Sequence, residues 1–315
     1  MAVTLFVATG DAVVRVAGRT EAVLEKPGAQ CVAVDARNPE RVVAGCRGGG
    51  VFESEDGGNT WRDAALPATD VFSLAYSPAD CSAYAGCEPS ALWVRRNGDW
   101  EELSALRELP SAPTWSFPPR PWTSHVRWVA PSPHQANVVL AGIELGGLMR
   151  TTDGGATWED HRPGAQRDVH SLAWHPSEPA RAYEAGGGGS AWSHDDGETW
   201  APADEGRDRH YTWALAVDRA DPDCWFVSAA PGPFDAHGSR PARAALYRWR
   251  GEGPWEELDL GLERPLETMP YGLAATEDGL VAALRDGRIF ASEDQGDSWR
   301  PLEADGLTHV VAMAA

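Results

Sequence analysis

An eight-residue phrase recurs four times along the chain, and it constrains the fold more than any other feature. The copies are SEDGGNTW (residues 54–61), TTDGGATW (151–158), SHDDGETW (193–200) and SEDQGDSW (292–299). Two weaker versions, RRNGDW and RGEGPW, end at Trp100 and Trp255. The six terminal tryptophans are separated by 39, 58, 42, 55 and 44 residues. This spacing indicates one structural unit that is used repeatedly.

Every unit has the same order of apolar segments and turns. A first segment such as VFSLAYSP or VHSLAWHP is followed by a second such as RVVAGC or NVVLAG. A third, such as GVFESE or GLMRTT, then leads into the phrase, whose Trp opens a fourth. Apolar alternation over short runs bounded by turn residues is typical of strands. The pattern predicts an all-β chain of four-stranded antiparallel units without helices.

The phrase itself is predicted to be the turn between the third and fourth strands. The carboxylates of Asp56, Asp153, Asp195 and Asp294 can accept hydrogen bonds from the backbone N–H groups of their own turn. The glycine allows the positive φ of a tight turn, and the Trp can pack between neighbouring sheets. We therefore interpret the four aspartates as structural residues.

The phrase resembles the Asp-box, or BNR repeat, of sialidases, sortilin-type receptors, xyloglucanases and the photosystem II assembly factor. The chain is most similar to single-domain bacterial proteins of the sialidase-like or glycosyl hydrolase-like type. The resemblance implies a β-propeller whose Asp-boxes lie on the face opposite the active site. It transfers no catalytic residue, because the Arg-Ile-Pro motif of sialidases is missing. Its nearest counterpart is Arg288-Ile289-Phe290.

Counting the units predicts one seven-bladed β-propeller over residues 1–315. Six complete units cover about residues 30–303, whereas the N-terminal piece lacks a first strand and the C-terminal THVVAMAA supplies only a first strand. We expect these two ends to share the seventh blade, with residues 309–313 pairing with residues 5–9. Such pairing would close the ring and cover its free edges.

The net charge and the composition argue against some classes of binding partner. The formal net charge is −20, which argues against nucleic acid and membrane surfaces, because both require basic patches. The sequence has no apolar run of spanning length, and its start is not typical of a signal peptide. None of the five cysteines forms a CxxC pair. We expect free thiols and a cytoplasmic location.

The predicted ligand site lies at the mouth of the central channel. Aligning the first strands places large, mostly hydrogen-bonding side chains at one equivalent position, which we call the mouth position: Gln30, Phe72, Arg127, His170, Trp213, Tyr271 and His309. The turns between second and third strands reach the same face and present Arg47, Glu88 and Glu144, with Glu184 in a shifted position.

Two insertions are predicted to reach this face as well. LRELPSAPTWSFPPRPWTSH carries Trp115, Arg120 and Trp122, and APGPFDAHGSRPARA carries His237. Long loops in a compact domain are often functional.

These residues predict a polar or anionic small molecule or a sugar as ligand. Arg127, helped by Arg120, would hold an anion. Flat contacts or further polar contacts would come from Trp122, Trp213, Tyr271, His237 and His309. The acid–base candidates are Glu144 and Glu184, with His170 as proton carrier or metal ligand.

The function expected from these roles is that of a hydrolase or lyase. No motif demands a cofactor, although a divalent metal is a candidate. The alternative is a non-catalytic protein-binding scaffold, like the photosystem factor.

Overall fold

The computed structural model describes residues 3–117 and 123–315, so Arg120 and Trp122 lie outside the described residues. The described residues form twenty-six strands. Those of the first 102 residues are β1 (Leu5–Ala8), β2 (Gly10–Val16), β3 (Thr20–Asp35), β4 (Asn38–Cys46), β5 (Gly50–Ser54), β6 (Arg62–Asp63), β7 (Val71–Tyr76), β8 (Ala83–Cys87), β9 (Ala91–Arg96) and β10 (Asp99–Glu102). The strands of the middle of the chain are β11 (Val126–Pro131), β12 (Val139–Ile143), β13 (Gly147–Thr151), β14 (Val169–Trp174), β15 (Ala182–Gly186), β16 (Gly189–Ser193) and β17 (Ala201–Pro202). The remaining strands are β18 (Tyr211–Val217), β19 (Cys224–Ala230), β20 (Ala245–Arg250), β21 (Glu256–Glu257), β22 (Pro270–Thr276), β23 (Gly279–Leu284), β24 (Ile289–Ser292), β25 (Arg300–Leu302) and β26 (Ala312–Ala314).

The predicted absence of helices is wrong in detail, because both insertions contain helical turns. The second insertion forms a short helix, α1 (Pro233–His237), and the first forms two 3₁₀ turns, Ser104–Glu108 and Ala112–Thr114. Pro233 occupies the first turn of α1, where a missing N–H is tolerated. Leu106 of the first insertion is fully buried in the core between two sheets.

The strands form antiparallel sheets that follow the repeat. Four sheets have four strands each, in the orders β10-β9-β8-β7, β14-β15-β16-β17, β18-β19-β20-β21 and β22-β23-β24-β25. The β11-β12-β13 sheet has only three, because its fourth strand is reduced to a bridge between Arg150 and Glu159. There Asp160 accepts hydrogen bonds from the backbone N–H and the hydroxyl of Ser111 in the first insertion.

The two ends of the chain meet in the remaining sheet. Its order is β26-β1-β2-β3-β4-β5-β6, and β26 pairs with β1 through Phe6 with Ala314 and Ala8 with Ala312. Val310, just before β26, is fully buried beside Leu5. This pairing joins the chain ends, although no sheet closes on itself.

First strands of successive units lie side by side. Contacts between neighbours run from β3 through β7, β11, β14, β18 and β22 to β26, which in turn contacts β3. Apolar clusters fill the spaces between adjacent sheets, as expected for sheets that are apolar on both faces.

Each copy of the repeated phrase forms the same hydrogen-bonded turn. In the first copy, Thr60 donates from its backbone N–H and its hydroxyl to Asp56, and Ser54 accepts a bond from Gly58 N–H. The other three copies have the same bonds around Asp153, Asp195 and Asp294. Hydrogen bonds from the turn lower the pKa of Asp56, Asp153 and Asp294 to about 2. The geometry supports the structural interpretation of the four aspartates.

No helix in the described part of the chain is long and apolar enough to span a membrane. The five cysteines are all free thiols, and four of them are buried.

Candidate functional site

One cavity of about 300 Å³ is lined by residues from all seven first strands. Six of the seven predicted mouth residues line it: Gln30, Phe72, Arg127, His170, Trp213 and Tyr271. The tertiary structure therefore brings these side chains together from strands that lie far apart in the sequence.

A β-bulge in each of six first strands sets the direction of these side chains. In six first strands the pairing register shifts at the mouth position, for example between Val126 and Trp128 around Arg127 and between Val169 and Ser171 around His170. A bulge leaves one residue unpaired and redirects its side chain. The mouth residues are thus the unpaired residues of their strands.

The seventh first strand departs from the predicted alignment. Ala312 pairs with Ala8 in the register in which Cys31 pairs with Gly45. Val311, not His309, therefore occupies the mouth position and lines the cavity. The sequence alignment used Val311-Ala312 as the Leu/Val-Ala pair of this unit, whereas Met313-Ala314 occupies that place in the structure.

Arg127 is held in place on two sides. Its guanidinium carbon lies 4.5 Å from the ring centre of Trp213, and its Nε lies 3.6 Å from Glu144 Oε2. Arg127 is buried, yet its two terminal nitrogens make no hydrogen bond within residues 3–117 and 123–315. A forked donor pair with this exposure to a cavity is suited to a carboxylate or phosphate.

Glu144 belongs to a buried chain of carboxyl and imidazole groups. Its Oε2 lies 2.6 Å from Nε2 of His125, whose Nδ1 lies 3.4 Å from Glu88 Oε2. Phe72 stacks on the His125 ring, with centroids 3.8 Å apart. Burial alone would raise the pKa of Glu144, but the His125 hydrogen bond and the charge of Arg127 lower it below its ordinary value. Glu144 is therefore an anion at neutral pH.

His170 is fixed by its neighbours on β18. Its Nδ1 lies 2.6 Å from the carbonyl oxygen of Thr212, and its ring packs against Tyr211 and Trp213. Its Nε2 points towards Asp168, 3.5 Å from Oδ2. Since His170 is almost completely buried, its orientation is set by the fold.

Asp168 is a site residue that the sequence analysis missed. It lies two residues before the mouth position, where three other units carry Asp70, His125 and Tyr211 and two carry Gly28 and Met269. The bulge brings this position and the mouth residue to the same rim. The available signal was that four of the six units with a bulge carry a polar side chain at this position, which the strand periodicity alone did not single out.

His237 connects the second insertion to the cavity wall. Its Nε2 lies 2.8 Å from the Tyr211 hydroxyl and its Nδ1 lies 2.6 Å from the Tyr271 hydroxyl. The ring also contacts Trp213. Burial lowers the pKa of His237 to about 4, so the imidazole is neutral at physiological pH. It positions the aromatic wall and does not itself line the cavity.

Glu184 does not line this cavity. It is fully buried within β15, where Oε2 accepts a hydrogen bond from the backbone N–H of Gln166. Oε1 has no hydrogen-bond partner among the described residues. Burial raises the pKa of Glu184 to about 8, so the carboxyl is largely protonated at pH 7. The prediction that Glu184 shares the mouth with Glu144 is not supported by this position, because its strand turns the side chain between two sheets.

His309 lines a neighbouring cavity of about 390 Å³, together with Arg285, Asp235 and residues of the second insertion. Burial and the nearby Arg285 lower the pKa of His309. His309 and Arg127 therefore line different cavities, although the sequence predicted that both would contact one ligand.

Solved structures identify the fold. The chain matches an ancestral GH74 enzyme with a TM-score of 0.67 at 16% identity, over 95% of this chain and 40% of that one. It matches the GH74 xyloglucanase from Xanthomonas campestris with a TM-score of 0.67 at 18% identity, over 97% of this chain and 47% of that one. It matches YCF48 bound to D1 peptide with a TM-score of 0.59 at 17% identity, over 90% and 85% of the two chains.

These matches define the architecture as a β-propeller. The chain spans less than half the length of the two GH74 chains. The sequence matches no protein-family profile and no curated protein.

Proposed function

We propose that this β-propeller binds a small anionic molecule at the mouth of its central channel. The observation that carries the proposal is the placement of Arg127. Its side chain is anchored by Glu144 and Trp213 and lines the cavity, while its terminal nitrogens have no hydrogen-bond partner among the described residues. A buried guanidinium without a bidentate acceptor favours an anionic ligand.

The rest of the wall favours a ligand with a flat apolar face. Trp213 and Tyr271 line the same cavity, with ring centres 5.6 Å apart. Aromatic rings of this kind can stack on a sugar ring or another planar group. A sugar carrying a carboxylate or phosphate satisfies both requirements. In view of the GH74 structures, we regard carbohydrate as the first substrate class to test.

Hydrolysis or elimination is the reaction class that these groups favour. His170 lines the same cavity as Arg127, and Glu144 lies behind the lining in contact with Arg127, so both are close to an anion that Arg127 would hold. They can act on it as acid and base, directly or through a bound ion. Glu184 is left out of this proposal because of its burial.

We further propose that the ring has seven blades and that the repeated turns are Asp-boxes. The long strand β3 supports the count, because its first half pairs with β2 and its second half with β4. The seven-stranded sheet then divides into two blades at β3. The five free cysteines support a reducing compartment such as the cytoplasm.

A protein-binding scaffold is the second candidate. This chain covers 85% of the YCF48 chain, whose structure contains a D1 peptide, but less than half of each GH74 chain. In length, the chain is therefore closer to YCF48 than to the GH74 chains.

A thermal-shift panel tests the proposal. Monosaccharides bearing a carboxylate or phosphate would be compared with their neutral counterparts, and each compound that stabilises the protein would be titrated calorimetrically. We expect Arg127→Ala to weaken binding by about ten- to a hundredfold. Arg181→Ala is the matched control, since Arg181 also stacks on an aromatic ring, that of Trp192, and neither of these two residues lines the cavity.

Equal binding of charged and neutral compounds, or full affinity in Arg127→Ala, would refute the anion site. A stable complex with a protein, together with no small-molecule binding across the panel, would support the scaffold.

A further inference from the structure

We propose that Glu144, Asp168 and His170 bind one divalent transition-metal ion at the rim of the channel cavity. One ligand atom from each of these residues lies within 4.8 Å of those of the other two. They come from the loop after β12, the loop before β14 and β14 itself. This inference does not depend on the anion site proposed above.

The protonation of His170 follows from its partner. A backbone carbonyl can only accept a hydrogen bond, so His170 Nδ1, which lies 2.6 Å from the Thr212 carbonyl oxygen, carries a proton. In the neutral ring, Nε2 then presents a lone pair. Metal-binding histidines are commonly oriented in this way, with the other ring nitrogen donating to a carbonyl or carboxylate.

The Nε2 atom is buried and lacks a hydrogen-bond partner among the described residues. It faces Asp168 Oδ2 at 3.5 Å, which is longer than a charge-assisted hydrogen bond of about 2.7–2.9 Å. The Asp168 carboxylate also accepts no hydrogen bond from any residue that the structure describes. A lone pair and an anionic oxygen facing each other at the edge of a buried ring repel, and a cation between them removes the repulsion.

Glu144 supplies the third ligand without losing its support. His125 and Arg127 both approach Oε2, at 2.6 and 3.6 Å. Within the described ranges, no hydrogen bond reaches Oε1. His125 would thus hold the carboxylate in place while Oε1 remains available, and hydrogen-bonded carboxylates of this kind are usual among metal ligands.

The donor set indicates the class of ion. Two carboxylates and one imidazole suit Zn²⁺ or Mn²⁺, whereas Ca²⁺ and Mg²⁺ prefer oxygen ligands alone. Bonds of about 2.0–2.2 Å place ligand atoms roughly 3–4 Å apart, so the present spacing needs only a small inward movement of the side chains. Three protein ligands leave coordination positions open to water or to an anion held by Arg127.

Calorimetric titration of tag-free, chelator-treated protein with ZnCl₂ and MnCl₂ tests the site. We expect one ion per chain with a Kd of about 10 µM or tighter, and weaker binding of Mg²⁺ and Ca²⁺. Asp168→Asn and His170→Gln should each weaken binding at least about tenfold. Asp70→Asn is the matched control, since Asp70 precedes its mouth residue, Phe72, by the same two positions and should leave the affinity unchanged.

Absorption of the Co²⁺-loaded wild-type protein gives a readout that needs no variant. A visible d–d band that saturates at one equivalent supports coordination by the three side chains, and its loss in a folded Asp168→Asn protein locates the ion. The proposal is overturned if neither Zn²⁺ nor Mn²⁺ shows saturable binding up to about 1 mM. It is also overturned if both ligand variants bind as tightly as wild type. Because no organic ligand is present, these outcomes are independent of the test on Arg127.

Discussion

The guanidinium of Arg127 lies over the indole ring of Trp213 at 4.5 Å, although the two residues belong to β11 and β18 and are separated by β14. Both are mouth residues at β-bulges, so the stacking results from redirected side chains that converge on the channel. The cation is kept away from solvent, and its planar face is used for packing. Its edge therefore remains the surface available to a ligand.

Replacing Trp213 by Leu should weaken binding of an anionic ligand. Loss of a partly desolvated cation–π contact costs about 0.5–2 kcal/mol, which corresponds to roughly a two- to thirtyfold rise in Kd. Isothermal titration calorimetry with a compound from the thermal-shift panel measures this change in Kd. Trp192→Leu is the matched control, since Arg181 lies 4.6 Å from the Trp192 ring outside the cavity. An equal loss of affinity in both variants would show that the effect is one of global stability.

Replacing Asp195 by Ala should lower the free energy of unfolding without changing ligand affinity. The side chain accepts hydrogen bonds from Ser193 and from the backbone and hydroxyl of Thr199, and their loss leaves turn donors unpaired. We expect a cost of about 1–2 kcal/mol in urea unfolding. Asp195→Asn retains an acceptor and should cost less. Loss of ligand binding in a fully stable Asp195→Ala protein would contradict the structural role.

The burial of Glu184 predicts a specific pH dependence of stability. Its pKa in the folded state is about 8, whereas the ordinary value is 4.5. Between these two pH values the unfolded chain has lost a proton that the native state keeps. Stability from this group is therefore complete at acidic pH and declines as pH rises towards 8. Glu184→Gln cannot ionise and should remove this decline.

Unfolding free energies of wild type and Glu184→Gln at pH 4.5 and pH 8 measure the effect. From pH 4.5 to pH 8, the unfolding free energy of wild type should fall by on the order of 2–4 kcal/mol more than that of Glu184→Gln. Parallel pH profiles of the two proteins would show that Glu184 does not retain its proton in the native state.

Removing residues 308–315 should destabilise the protein by several kcal/mol, a large part of the stability of a typical domain. The deletion removes the β26–β1 pairing and the buried Val310, and it exposes the edge of β1. Val310→Ala, which leaves the pairing intact, should cost only about 1–3 kcal/mol. Thermal unfolding distinguishes the two, and an unchanged melting temperature in the truncated protein would mean that the terminal pairing contributes nothing.

The repeated phrase was sufficient to predict the strand order within each unit and the internal bonding of the four turns. Both depend on contacts between residues that are close in sequence. An Asp four positions before a Thr or Ser, with an intervening Gly, builds the same turn wherever it occurs. The mouth residues Arg127, His170, Trp213 and Tyr271 were also identifiable, because large and mostly hydrogen-bonding side chains recur at this one position of the aligned repeat.

The identity of the groups that meet at the mouth was decided only by the tertiary structure. Glu144 and Glu184 have similar places in the repeat, yet one ends in a turn beside Arg127 and the other lies inside a strand between two sheets. Asp168 lies beside Glu144 and His170, and Val311 occupies the mouth position that was predicted for His309. The physical reason is the side-chain alternation of strands, in which a one-residue bulge or register shift moves a side chain from one environment to another. Such shifts depend on pairing with neighbouring strands, which local sequence does not record.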